Sequence, residues 1–176
     1  MVTEQRALVS ESVQGQAWRI AATVTDPELP MLTLADLGVL REVRYEDGHL
    51  VVSITPTYTG CPAMDTMRDD LVRVLEAAGY VDVEVRTVLS PAWSSDWISA
   101  AGRRKLAEHG IAPPGDVPAQ APGPVPLTLG PSVRAVRCPQ CDSADTEQLS
   151  RFSATACKAL RRCRGCQEPF EHFKEI

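Results

Sequence analysis

Six cysteines carry most of the chemistry this 176-residue chain can offer, and four of them form two matched pairs. "CPQC" supplies Cys138 and Cys141, and "CRGC" supplies Cys163 and Cys166. A gap of two residues lets both thiolates of a tight turn face one ion, and two such turns complete a tetrahedron of sulfur. The 21 residues between the knuckles are enough for a β-hairpin. A segment this small buries too little apolar surface to fold unaided, so the metal acts as its staple. Four sulfurs leave no open position, which makes the site structural. Zinc is the leading metal; a rubredoxin-like iron or an iron–sulfur cluster uses the same four ligands. Cys157, in "ATACKALRRC", is left over and reads as a buried small hydrophobe, with a fifth ligand, or an exchange partner if the metal is iron, as the alternative. His172, in "EHFKE", reads as a surface histidine, with a substitute metal ligand as the alternative.

The sixth thiol stands apart. Cys61, in "TPTYTGCPAMD", is the only cysteine before Cys138. Proline favours the first helical position, which puts Pro62 at N1 and Cys61 at the N-cap. A thiolate there gains from orphan N–H groups and from the positive end of the helix dipole. Thr55, Thr57, Tyr58 and Thr59 offer hydroxyls nearby. No histidine adjoins Cys61 and no GxGxxG loop is present, so an enzyme using this thiol as nucleophile is weakly supported. A cysteine that merely caps or packs is the plain alternative. "TDPELP" adds two carboxylates, Asp26 and Glu28, in ordinary turn chemistry. "DLG" (36–38) is unremarkable alone. Trp93 and Trp97 fit a core or an interface, and Arg103, Arg104 and Lys105 fit a solvated helix face.

Regular elements must hold these groups in place. Val13, Ala17, Ile20, Ala21 and Val24 recur at helical spacing and predict a helix over roughly residues 10–25. "VLREVRY" (39–45) and "HLVVSIT" (49–55) flank Asp47-Gly48, a strong hairpin signal. Met64, Met67, Leu71, Val74, Leu75 and Ala78 give the next helix one apolar stripe, with Gly79 as its C′ residue. "VDVEVRTVL" (81–89) alternates as a third strand, and a further helix is predicted from Trp97 to His109. Between Pro113 and Pro131 the chain places seven of its fourteen prolines and no hydrophobic periodicity. The expected organisation is an α+β domain over 1–112, with helices packed on a three- to four-stranded sheet. A Pro/Gly-rich linker over 113–134 and a zinc-ribbon mini-domain over 135–176 follow.

Composition narrows the function. A net charge of −5 argues against a general affinity for nucleic acid or anionic membrane. Residues 135–176 carry seven Lys/Arg against six Asp/Glu, too little for a phosphate-tracking surface. Aromatics are sparse at 5%, so stacking platforms for single strands are not expected. No apolar run reaches the ~18 residues of a membrane span. "MVTEQRALVSESVQGQ" lacks the features of a signal or transit peptide, so a reducing cytoplasm is expected.

Together, "DPELP", "LADLGVLREV" and "VSITPTYTGCPAMDTM" resemble the small domain shared by SufT-like and eukaryotic cytosolic iron–sulfur assembly factors. The match lengthens through "PAWSSDWISAAGRRKLAEHGIAPP" to "CPQC" and "SATACKALRRCRGCQEPFEHFK". Over roughly residues 15–176 the chain resembles the PaaD family, the D proteins of the bacterial aerobic phenylacetate pathway. That resemblance implies an accessory role beside a phenylacetyl-CoA ring epoxidase, and no catalytic site of the chain's own. It further implies that Cys61 holds iron or a cluster transiently, assisted by Asp26 or Glu28. The partners it implies are a di-iron oxygenase and an iron–sulfur flavin reductase; further copies of the chain are also expected. A structural or electron-transfer subunit of that epoxidase is the competing role.

Overall fold

The computed structural model describes residues 13–58, 60–115 and 135–176. The chain divides into two units, Met1–Lys105 and Leu106–Ile176. The first is α+β, as expected. Helix α1 covers residues 13–21 and buries Ala17 and Ala21 completely. It stops short of the expected residue 25 because Thr23 and Val24 donate their N–H groups to Ile20 and Ala21, in i→i−3 bonds that tighten the last turn. The expected start at residue 10 lies outside the described residues.

Strands β1 (Leu40–Glu46) and β2 (His49–Ile54) form the expected antiparallel hairpin. Asp47 and Gly48 both have positive φ, 46° and 96°, which matches the twist of the flanking strands. Helix α2 (Met64–Ala77) crosses from β2 to β3 (Val83–Thr87), which pairs with β2 in parallel. Met67, Leu71 and Leu75 form its buried stripe, and α2 packs on β3. Gly79 takes φ 91° just past the helix and donates to Glu76, as a C′ glycine should. β2 is the central strand, with Leu50, Val51, Val52 and Ile54 fully buried.

The segment predicted as one helix from Trp97 is broken in two. A 3₁₀ turn covers Ser95–Trp97, Ile98 is extended, and α3 runs Ala100–Glu108. The break follows from two hydroxyls: Ser94 Oγ accepts from Asp96 N–H, and Ser99 Oγ accepts from Gly102 N–H at 2.9 Å and starts α3.

The Leu106–Ile176 unit holds a four-stranded sheet in the order β4-β7-β6-β5. β5 (Thr146–Ser150), β6 (Lys158–Cys163) and β7 (Pro169–Phe173) are antiparallel neighbours. β4 (Ile111–Ala112) pairs in parallel with β7. These two residues, assigned from sequence to the first domain, therefore belong to the ribbon sheet. Their backbone groups are satisfied by β7, a partner too distant in sequence to be seen from local pattern. Of the linker expected over 113–134, residues 116–134 lie outside the described residues. Ala112, Val136, Cys138, Cys163 and Phe170 form one core cluster of this unit, and Phe173 is fully buried as well.

Candidate metal centre and the Cys61 loop

The four knuckle cysteines converge. Their Sγ atoms all lie within 4.8 Å of one another. Cys138 and Cys166 are 3.7 Å apart, and Cys141 and Cys163 are 3.5 Å apart. Zinc–sulfur bonds of about 2.3 Å in a tetrahedron require sulfur separations of about 3.8 Å, so the cradle fits the ion. Both knuckles use the same backbone device. The residue after each second cysteine has positive φ, Asp142 at 58° and Gln167 at 66°. The Cys166 N–H points at Cys163 Sγ at 3.4 Å.

Four thiols at this spacing cannot ionise independently. The Cys166 N–H, helped by the neighbouring sulfurs, outweighs desolvation and pulls the Cys163 thiol down to about 6. The Glu168 backbone favours the Cys166 thiolate, but desolvation and the other three sulfurs outweigh it and push that thiol up to about 12. Cys141 is favoured as a thiolate by the Ser143 backbone, yet Cys163 and desolvation raise it. A divalent cation removes this conflict, because it stabilises all four thiolates together.

Cys157 is buried outside this group, with Thr155 Oγ1 3.0 Å from its Sγ. That matches its expected role as a small packed side chain. His172 differs from expectation: it is 4% exposed on β7, not a surface residue. Burial lowers its pKa, against the charge of Glu175.

Cys61 is half-buried and in no disulfide. The N-cap of α2 is Ala63, not Cys61, and it contributes no side-chain hydrogen bond. Pro62 instead fixes a turn that precedes the helix, in which the Cys61 carbonyl accepts the Met64 N–H at 3.4 Å. The Cys61 loop thus runs up to a helix start whose cap supplies no acceptor side chain, at the positive end of α2. Thr59 lies outside the described residues.

This loop leaves the C-terminal end of β2, and Thr87 marks the same end of parallel β3. In open α/β arrangements such ends form the usual ligand crevice. Two residues at this end escaped the sequence reading. Arg68 Nη2 donates to Thr87 Oγ1 at 2.6 Å, and Nη1 donates to Asp65 at 3.2 Å. Arg68 follows a stripe residue on α2 and is indistinguishable in sequence from a solvated helix cation.

Asp26 is buried, at 6% exposure, and its carboxylate has a structural task. Oδ1 accepts the Glu28 N–H at 2.8 Å and the Leu29 N–H at 2.9 Å, closing the "DPEL" turn. Glu28 itself is exposed. A backbone relay ties this region to the Cys61 loop: Leu34 N–H bonds Val24, Val39 N–H bonds Leu34, and Thr55 N–H bonds Val39. Among the described residues, Cys61, Asp26 and Glu28 do not meet as a metal-ligand group; the four knuckle cysteines do.

"DLG", unremarkable in sequence, is a structural anchor. The Asp36 carboxylate accepts from Lys105 Nζ at 2.6 Å, Thr33 N–H at 3.1 Å and Ser99 Oγ at 3.2 Å. Trp93 Nε1–H donates to the Leu37 carbonyl at 3.0 Å. Gly38 has φ 68°, and a Cβ there would meet Trp97 Cβ at 2.6 Å. Among the described residues, no helix is long and apolar enough to cross a membrane.

A βαβ-bearing domain with a cysteine loop at its strand ends, joined to a four-thiol ribbon, defines a metal-handling protein. Residues 18–87 match the family described as iron-sulfur cluster assembly protein, and residues 122–174 match the PaaD zinc beta ribbon domain. The chain belongs to the PaaD family. It is 39% identical over 123 residues to an Escherichia coli (strain K12) protein provisionally named as a component of 1,2-phenylacetyl-CoA epoxidase, covering 70% of this chain and 71% of that protein. It is 34% identical over 90 residues to an Fe-S protein maturation auxiliary factor of Porphyromonas gingivalis (strain ATCC BAA-308 / W83), covering 50% of this chain and 85% of the other. Among solved structures, the domain of unknown function DUF59 from Bacillus anthracis superposes with a TM-score of 0.53 at 26% identity, covering 57% of this chain and 96% of that one.

Proposed function

We propose that this protein is an accessory factor that installs or repairs iron–sulfur or di-iron centres of a phenylacetyl-CoA ring-1,2-epoxidase. One observation carries the reading: a single chain joins an iron–sulfur assembly domain to a PaaD ribbon. In this reading Cys61 holds iron or a cluster transiently. Its position supports that role, since the loop combines a half-buried thiol, the start of α2 and the ends of two parallel strands. Neither carboxylate stands beside Cys61, so exposed Glu28 assists only if the two loops approach, and Asp26 must also release its turn before Oδ1 can contribute. The ribbon's metal is zinc, and its task is to shape a surface for protein contact. Partners by this reading are the di-iron oxygenase, the iron–sulfur flavin reductase and further copies of the chain, in the cytoplasm.

Anaerobic purification with metal quantification tests it. Wild-type protein should carry labile iron in addition to ribbon zinc. Cys61→Ser should lose the iron, keep the zinc and stay folded. Full ring epoxidation in cells carrying Cys61→Ala would remove the centre of the proposal. The name of the Escherichia coli relative favours a second role, a resident structural or electron-transfer component of the epoxidase. Stoichiometric, colourless zinc in the ribbon would rule out electron transfer through it.

A further inference from the structure

The ribbon carries a second set of donors away from its knuckles. A cleft of about 410 Å³ has Ala112, Pro113 and Val136 as apolar walls, and His172 and Glu175 also line it. His172 is 4% exposed, yet its Nε2 has no hydrogen-bond partner among the described residues. A buried polar atom left unpaired costs about 1–3 kcal/mol, so this nitrogen calls for a partner. Glu175 Oε1 lies 3.7 Å from it, beyond hydrogen-bond reach. The same oxygen accepts the Gly115 N–H at 3.1 Å, which fixes the carboxylate beside the imidazole.

We propose that His172 and Glu175 form an open site for a divalent transition-metal ion. The ion's ligands are the Nε2 lone pair and the carboxylate, with solvent from the cleft completing the shell. Metal–nitrogen and metal–oxygen bonds of about 2.0–2.2 Å place two such donors roughly 3–4 Å apart, which the observed pair satisfies. Imidazole with carboxylate suits zinc, iron(II) and their neighbours. The site is distinct from the four-thiol centre. His172 pairs with Ala159, four residues along β6 from Cys163, or about 13 Å at the usual strand rise. Arg161, 7% exposed and within electrostatic reach of Glu175, opposes a cation here. With only two protein donors, the ion is therefore held weakly and exchanges readily.

The test uses the untagged full chain carrying Cys61→Ser, which removes the proposed iron-holding thiol, with zinc in its ribbon, titrated anaerobically with cobalt(II). The expected result is one further equivalent, seen as weak d–d absorption without a thiolate-to-cobalt charge-transfer band. That missing band shows that the cysteines are not exchanging. Affinity should fall at least tenfold in Glu175→Gln and in His172→Gln, with ribbon zinc retained in both. If His172→Gln does not fold, the partly exposed Glu175→Gln decides alone. No further equivalent in the Cys61→Ser chain, or unchanged affinity in a folded variant built on it, overturns the site. Neither outcome bears on iron held at Cys61.

Discussion

Asp36 and Lys105 meet at 2.6 Å, between a turn ahead of β1 and helix α3, 69 residues apart in sequence. Burial pushes the Asp36 carboxyl up, but bonds from Lys105 and Thr33 outweigh it and hold it below the ordinary range. A carboxylate depressed in the folded state contributes stability that is present at neutral pH and is lost as pH falls through its folded pKa. Denaturant midpoints measured from pH about 7 to about 3 should therefore drop. Asp36→Asn should lower stability by about 1–2 kcal/mol at neutral pH, allowing for the exposure of Lys105, and flatten the acid limb.

Two glycines with positive φ should answer differently to alanine. At Gly38 the new Cβ meets Trp97 Cβ at 2.6 Å and its carbonyl oxygen at 2.7 Å, so backbone must shift. Gly38→Ala should cost at least about 3 kcal/mol. Gly48, at φ 96°, has nothing within 4 Å of that position among the described residues. Gly48→Ala should cost only about 1 kcal/mol, from conformation alone. Equilibrium unfolding of the two variants gives both values.

Arg68 holds α2 to the end of β3 through Thr87. Arg68→Ala should cost about 1 kcal/mol, read from the same unfolding curves. Lysine should not restore it, because a single ammonium cannot reproduce the fork that serves Asp65 and Thr87 together.

Metal binding at the knuckles should release protons. Cys163 is ionised near neutral pH, whereas Cys141 and Cys166 are raised. Adding zinc to reduced, metal-free protein in weakly buffered solution at pH about 7 should release about two or more protons per ion. Chelation should reverse this and abolish the circular-dichroism contribution of β5, β6 and β7. Release of fewer than one proton would mean that the sulfurs are not the ligands.

The metal centre was legible because its ligands sit in two local turns, each encoded by two cysteines at fixed spacing. The hairpin at Asp47-Gly48 and the stripe of α2 were legible for the same reason. What escaped depended on pairing across long stretches of chain. Ile111–Ala112 looks like the end of the first domain until β7 is present to bond it. "DLG" looks like a plain turn until Trp93, Trp97, Ser99 and Lys105 close on it. Pro62 misled in a different way: a proline favours both the first helical position and the second position of a turn. Only the Cys61–Met64 hydrogen bond distinguishes the two.

The four-sulfur closure has a consequence for the life of the molecule. A ribbon that clusters two of its own ligand sulfurs, Cys138 and Cys163, into its core depends on metal by mass action, not on sequence alone. Each tenfold fall in free metal removes about 1.4 kcal/mol from its folded state. A metal-starved cell should therefore lose the ribbon to proteolysis first, so the abundance of this protein would report metal supply.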